Sequence, residues 1–349
     1  MKKVLFTGGG SAGHVVPNLA LIEELLAFGD VDVCYMGTDG IEKKLVAEQK
    51  IPYFEISCPK FVRGMSLTNL KRNLKIPLEF FRAKKQAIQG LKACQPDLVF
   101  SKGGYVALPV IAAAKKLKIP CLAHESDFSA GLANKLSANA CKYVFTSFPE
   151  TAEKLPHGKY SGAPLRRSLF STSRQEARKH FGIDEKEKVL LVFGGGSGSA
   201  AINEAIRKNI KALTKSYTVL HVCGKGNVID SRVRGYHQFE FIKDMGMAYA
   251  CADLVIARAG SGTVFELLAL KKPAILIPLE GQTRGDQIEN AKYFEKRGLC
   301  YLLKQTELED LVKTVEQAFQ DESLRANLKK SNFERGNENI LREIRKILQ

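Results

Sequence analysis

The chain has 349 residues, with 53 Lys and Arg against 37 Asp and Glu, and a formal net charge of +16. A hydrophobic share of 45% and a charged share of 26% exclude a disordered or fibrous chain. At roughly 100–200 residues per domain, the length predicts two domains, each able to bury its own core. The longest uninterrupted apolar stretch, 105–114, falls far short of the ~20 residues a spanning helix needs. The N-terminus runs from Met1-Lys2-Lys3 straight into a short strand and a glycine loop, so no signal peptide is expected. The eight cysteines are scattered without a C-x-x-C pair and lie mostly in apolar stretches, which predicts reduced, buried thiols rather than a disulfide framework or a zinc site.

In chain order, a short apolar strand at 4–7 leads into Gly8-Gly9-Gly10-Ser11-Ala12-Gly13-His14 and then a helical pattern over about 17–28. The carboxylates Asp30 and Asp32 sit where that helix hands over to a strand, and read as an ordinary turn. Strands are predicted at 31–36, 98–101 and 120–124. Between the first two of these, residues 60–85 carry eight basic residues (Lys60, Arg63, Lys71, Arg72, Lys75, Arg82, Lys84, Lys85) against one acid, Glu79. Leu67, Leu70, Leu74, Leu78 and Phe81 recur there at roughly helical spacing, with Pro77 expected to break or kink any helix. Such a basic amphipathic segment fits a membrane surface or a solvated helix face. Nucleic acid is disfavoured, because no zinc-finger, RRM or KH signature accompanies the charge.

A polar stretch over 162–183 marks the junction. Beyond it the pattern restarts: an apolar strand at 189–193, Gly194-Gly195-Gly196-Ser197-Gly198-Ser199, a helix at 200–213, and strands at 219–222, 254–257 and 274–278. Gly8 to Ser11 thus recur as Gly194 to Ser197. Alternating strands and helices predict parallel sheets flanked by helices, hence two Rossmann-like domains. The tail, 324–349, is helical and charged and could return to the first domain. The expected division is 1–162, 163–330, and a C-terminal helix within 331–349 packing on the N-terminal domain.

A glycine loop opening a helix lets backbone N–H groups close on a phosphate, with the helix dipole favouring its charge. Gly8-x-Gly10-x-x-Gly13 fits the dinucleotide fingerprint, but the acid expected about 20 residues on is not clearly placed. Nor is the loop a Walker A motif, since His14 stands where its Lys belongs. Further polar clusters follow predicted strands, where open α/β sheets bind ligands. They are Ser101-Lys102-Gly103-Gly104-Tyr105, His124-Glu125-Ser126-Asp127, Cys223-Gly224-Lys225-Gly226, Arg258 to Thr263 with Glu266, and Arg284 to Gln287 with Asn290.

Taken together and in order, G-G-x-x-x-G-H-x-x-P, K-G-G-Y, H-E-x-x, G-x-P-x-R, G-G-S, G-K-G, R-x-G-x-x-T-x-x-E and D-Q-x-x-N-A resemble the MurG family of N-acetylglucosaminyltransferases. The likeness runs from about residue 4 to 303. It implies a GT-B fold, two Rossmann-like domains facing across a cleft. It implies inverting transfer of GlcNAc from UDP-GlcNAc to the muramic acid 4-hydroxyl of lipid I, forming lipid II for peptidoglycan, with no catalytic metal and no cofactor. The donor belongs to the C-terminal domain and the lipid acceptor to the N-terminal one. The implied location is peripheral, on the cytoplasmic face of the cell membrane, with anionic lipid meeting the basic segment and other cell-wall synthesis proteins as possible partners.

The resemblance assigns roles residue by residue. His14, at a helix start whose dipole disfavours imidazolium, becomes the general base for the acceptor hydroxyl; otherwise it orders its loop by a hydrogen bond. Ser197 meets the diphosphate, and Arg166 supplies positive charge for the leaving UDP. Ile242 meets uracil through its backbone. Glu266 accepts from the ribose hydroxyls, and Ser261, Gly262, Thr263, Val264 and Phe265 present the N-terminal backbone of their helix to the nucleotide. Gln287 reads the GlcNAc ring, Asn290 holds the same turn, and Ser11, Ala12, Gly13 and Asp127 approach the sugar from the other domain. Four positions depart from the common family pattern: Asp127 for Asn, Asp286 for Gln or His, Ala163 for Asn, and Gly198 for Gln. The sugar contacts carry most of that divergence. The competing expectations are another GT-B enzyme (a diacylglycerol glycosyltransferase or a UDP-GlcNAc 2-epimerase), a non-catalytic sugar-nucleotide-binding protein at the membrane, and an NAD-dependent oxidoreductase.

Overall fold

The computed structural model describes residues 1–58, 74, 76–281, 285–333 and 335–349. It divides into two compact units: an N-terminal unit of Met1–Arg166 with Arg335–Gln349, and a C-terminal unit of Arg167–Glu334.

The N-terminal unit is built on seven parallel strands, β1 (Lys2–Thr7), β2 (Val31–Gly37), β3 (Tyr53–Glu55), β4 (Leu98–Ser101), β5 (Cys121–Glu125), β6 (Tyr143–Thr146) and β7 (Gly158–Tyr160), in the order β3-β2-β1-β4-β5-β6-β7. The central strands are apolar runs buried on both faces, as crossover helices on each side of a parallel sheet require. Alternation sends Leu5, Val99 and Ala123 toward the helices Ile76–Cys94 and Ala107–Lys116. Val4, Phe6 and Phe100 go to the opposite face, with the helix Ala12–Leu26 and with Ile340, Leu341 and Ile344 of the helix Asn337–Leu348. That last helix is also tied by polar contacts. Asn337 accepts from Leu165 N–H at 2.8 Å, Glu343 pairs with Lys159 at 3.0 Å, and Arg345 pairs with Asp30 at 3.0 Å.

The C-terminal unit has six parallel strands, β8 (Val189–Phe193), β9 (Thr218–Val222), β10 (Tyr236–Phe239), β11 (Leu254–Ala257), β12 (Ala274–Leu276) and β13 (Tyr301–Leu302), in the order β10-β9-β8-β11-β12-β13. Ile202, Ile206, Ile210 and Leu213 of the helix Ala200–Leu213 pack on Leu190, Val192 and Ile256. Both sheets reverse winding direction beside their first strand, between β1 and β4 and between β8 and β11. These are the switch points at which such sheets bind ligands.

Three local expectations are corrected. The first helix begins at Ala12, not near Pro17; Pro17 lies inside it and withholds the N–H that would bond Gly13. Pro77 does not break a helix but occupies the first turn of Ile76–Cys94, where its missing N–H costs no hydrogen bond. The cysteines are not all thiols: Cys34 on β2 and Cys94 at a helix end form a disulfide, while the other six keep their thiols. Strand and helix bury the two together under one layer, a neighbourhood their 60-residue separation conceals. Most of the basic segment, including Lys60, Arg63, Lys71, Arg72, Lys75, Leu67 and Leu70, lies outside the described residues, as does Arg284. No helix among the described residues is long and apolar enough to cross a membrane.

Candidate active site

Each unit gathers polar residues at its switch point. In the N-terminal unit, the loop after β1 places Ser11, Ala12 and Gly13 exposed at the start of the helix Ala12–Leu26, with half-buried His14 in its first turn. The loop after β4 packs against it backbone to backbone. A Cβ at Gly104, where φ is +81°, would lie 2.5 Å from Gly9 O and 3.2 Å from His14 Cδ2, so only glycine allows this approach.

His14 Nδ1 lies 3.2 Å from the carbonyl oxygen of Lys102. A carbonyl can only accept, so Nδ1 carries the proton and Nε2 is the basic nitrogen. Burial and the Lys102 ammonium pull the His14 pKa below the usual imidazole value, against the opposing pull of Glu125 and Asp127. The ring is therefore neutral and able to take a proton at neutral pH. Lys102 is itself 1% exposed, donates from Nζ to Ser126 Oγ, and is pushed down to about 8 by burial despite Glu125 and Asp127. Glu125 shapes the next loop. Its Oε1 accepts from Asp127 N–H at 3.0 Å, and its Oε2 from Gly131 N–H at 2.7 Å and Asn134 Nδ2 at 2.9 Å. Asp127 is thus held beside Lys102 and Ser126. Lys102 and Glu125 are site residues that sequence reasoning quoted only as motif letters; a buried charge at a strand's C-terminal end was the available signal.

In the C-terminal unit, Ser197 is exposed in the loop after β8, while Ser199 caps the helix, its Oγ accepting from Ile202 N–H at 3.4 Å. The loop after β9 closes on this one: a Cβ at Gly198 would sit 2.9 Å from the carbonyl carbon of Cys223. Arg258, after β11, donates to Ser199 Oγ at 2.7 Å, to Gln305 Oε1 at 2.8 Å, and to the carbonyls of Ile277 (3.1 Å) and Pro278 (2.9 Å). It thereby ties the glycine loop to the two neighbouring strand ends. Gly260 precedes the helix Ser261–Ala269, whose partly exposed Ser261, Gly262 and Thr263 form the first turn. Val264 and Phe265 are buried, with Phe265 against Phe294 and Phe333, so only their backbone can meet a ligand.

Glu266 accepts from the Tyr249 hydroxyl at 2.8 Å, a partner sequence reasoning missed. Gln287 Oε1 accepts from Leu279 N–H at 2.9 Å, leaving its amide NH2 for a ligand, and buried Asn290 donates to Ala259 O at 3.3 Å, steadying the turn. Ile242 lies partly buried in the loop that follows β10, before the Asp244 cap. Arg166 is the last residue of the N-terminal unit's first segment, next to Leu165, whose carbonyl accepts from Arg335 Nη2 at 3.2 Å.

Two parallel sheets with a glycine loop at each switch point define a two-unit glycosyltransferase architecture. The chain matches the glycosyltransferase family 28 N-terminal domain over residues 4–146 and the family 28 C-terminal domain over residues 189–344. It is 42% identical to the UDP-N-acetylglucosamine--N-acetylmuramyl-(pentapeptide) pyrophosphoryl-undecaprenol N-acetylglucosamine transferase of Clostridium botulinum, covering 99% of both chains. The enzyme of the same name from Clostridium perfringens is 41% identical over 99% of this chain and 98% of that one. Among solved structures, Acinetobacter baumannii MurG superimposes with a TM-score of 0.78 at 27% identity, covering 99% of this chain and 100% of that one. The chain belongs to the MurG family, within the family 28 glycosyltransferases of GT-B fold.

Proposed function

We propose that this enzyme transfers GlcNAc from UDP-GlcNAc to the muramic acid 4-hydroxyl of lipid I, giving lipid II for peptidoglycan synthesis. The N-terminal unit takes the acceptor and the C-terminal unit the donor. The observation that carries this division of labour is the His14–Lys102 contact, which leaves a neutral imidazole with Nε2 as its basic nitrogen at the N-terminal switch point.

His14 accepts the proton of the acceptor hydroxyl as its oxygen attacks the anomeric carbon of GlcNAc and the bond to UDP breaks. Attack opposite the leaving group inverts the anomeric centre. Ser11, Ala12, Gly13 and Asp127 position the sugar near His14. Ser197 and the glycine-loop N–H groups of the C-terminal unit hold the diphosphate, and Arg166 offsets charge on the departing UDP. The backbone of Ile242 meets uracil, and the first turn of Ser261–Ala269 faces the nucleotide. Glu266, oriented by Tyr249, accepts from the ribose hydroxyls, and the NH2 of Gln287 meets the GlcNAc ring. No step calls on a metal or a cofactor.

The acceptor carries a lipid, and the helix Ile76–Cys94 supports docking at an anionic membrane surface on the cytoplasmic face. Leu78 and Phe81 are 59% and 66% exposed, with exposed Arg82 and Lys85 alongside.

The test is a transfer assay with radiolabelled UDP-GlcNAc and a lipid I analogue in EDTA, comparing the wild-type enzyme with His14→Ala. General-base removal predicts a kcat loss of roughly 10²–10⁴-fold with donor affinity unchanged. Wild-type turnover in His14→Ala would sink this role, and absence of transfer by the wild type would leave only sugar-nucleotide binding.

A further inference from the structure

The two glycine loops begin with the same four residues but meet different surroundings. In the C-terminal unit, a Cβ added at Gly195 or Gly196 has nothing within 4 Å among the described residues. In the N-terminal unit, the loop lies on the carboxylate of Glu42, a fully buried side chain five residues beyond the end of β2. Glu42 Oε2 accepts from Gly10 N–H at 3.2 Å, and Oε1 accepts from Thr38 N–H at 3.1 Å and from the Thr38 hydroxyl. Three glycines open the socket. A Cβ at Gly9 would lie 2.6 Å from Glu42 Cδ, one at Gly37 2.9 Å from Cγ, and one at Gly40 2.8 Å from Oε2.

The rest of the loop is fixed from the other side. Tyr35 donates its hydroxyl to Gly8 O at 2.7 Å, and Asn18 Nδ2 donates to Thr7 O and to Tyr35 Oη, both at 3.1 Å. Tyr53 donates to Thr38 O at 2.6 Å. In dinucleotide-binding sheets, an acid after the second strand binds a ribose while the glycine-loop N–H groups bind phosphate. Here the acid after β2 turns inward and takes the Gly10 N–H itself.

We propose that Glu42 is a positioning residue for the transfer reaction. Its buried carboxylate holds the Gly8–Gly10 backbone in the shape that presents His14, and its negative charge keeps nucleotide phosphates off the first loop, leaving them to the second. This rests on the reading of His14 as the base.

Glu42→Gln keeps the volume but replaces one acceptor oxygen with an NH2 that faces N–H donors. Gly9→Ala places a methyl group against the same carboxylate. In the transfer assay each is expected to lower kcat at least tenfold while the KM for UDP-GlcNAc stays within twofold. The double variant should be no worse than the more damaging single one, because both act on one contact. Three results would overturn the assignment: wild-type kcat in Glu42→Gln, multiplied losses in the double variant, or loss of donor affinity together with turnover in both singles, which is what general unfolding produces. His14→Ala is run alongside. Full activity in that variant refutes the base itself, whereas an inactive His14→Ala beside a fully active Glu42→Gln refutes only the positioning role.

Discussion

Replacing Gly198 with alanine tests whether the second glycine loop is the donor cradle. Gly198 has φ +77°, a left-handed conformation that costs an L-residue with a Cβ about 1–2 kcal/mol. The new methyl group would also lie within van der Waals distance of the Cys223 carbonyl, 2.9 Å from its carbon and 3.1 Å from Gly224 Cα. Backbone on both sides gives no flexible group to move, so the loops after β8 and β9 must separate. Relief of at least about 2 kcal/mol of strain in the free enzyme has to be reversed on binding, which lowers affinity for UDP-GlcNAc about 30-fold. Gly196→Ala is the internal control. Its φ is not positive and no described atom lies within 4 Å of the added Cβ, so the fold tolerates it and any lost affinity reports the approach of the ligand. Calorimetric titration with UDP-GlcNAc in EDTA, with thermal unfolding alongside, separates the two effects. A dissociation constant within twofold of wild type for Gly198→Ala would refute the placement of the donor at this loop.

Three further outcomes are expected. Lys102→Met keeps the backbone carbonyl that fixes the His14 tautomer but removes the positive charge that lowers its pKa, leaving Glu125 and Asp127 to raise it. The acid limb of the kcat–pH profile should move to higher pH, and an unmoved limb would show that His14 is not the titrating base. Tyr249→Phe deprives Glu266 of its donor, a loss of about 1 kcal/mol that should raise the KM for UDP-GlcNAc roughly fivefold with kcat nearly unchanged; a normal KM would remove Glu266 from the donor site. Replacing Leu78 and Phe81 together with serine should weaken binding to phosphatidylglycerol vesicles at least tenfold, since each large apolar side chain contributes about 1.5–3 kcal/mol when buried. Undiminished vesicle binding would exclude this face of the helix from membrane contact.

The strands flanking the two switch points, β1, β4, β8 and β11, were legible to within two residues from their apolar runs. Such runs arise because both faces of a central parallel strand are covered. The edge and outer strands β3, β6, β7, β10 and β13 were not. They are two to four residues long, and several mix polar with apolar side chains, so no period stands out. Proline misled at two helix starts: Pro77 sits in a first turn, where its missing N–H costs nothing, whereas Pro17 lies inside its helix and forgoes one hydrogen bond without ending it. Of the candidate site, the residues on glycine loops and helix starts were readable as motifs. Lys102 and Glu125 showed only as motif letters without a role, and Tyr249 and Glu42 did not show at all. Their importance lies in what they touch, and Glu42 meets Gly10 across a sequence separation of 32.

What the sequence by itself determined was the repeated strand–glycine–helix pattern, the parallel-sheet architecture and the family, because local periodicity and ordered motifs survive without coordinates. Only the tertiary structure decided which nitrogen of His14 is basic, which buried ammonium lowers its pKa, and which of two identical glycine loops rests on a carboxylate. Those properties follow from desolvation and from hydrogen bonds between residues distant in the chain, and neither exists until the sheet has brought the strand ends together.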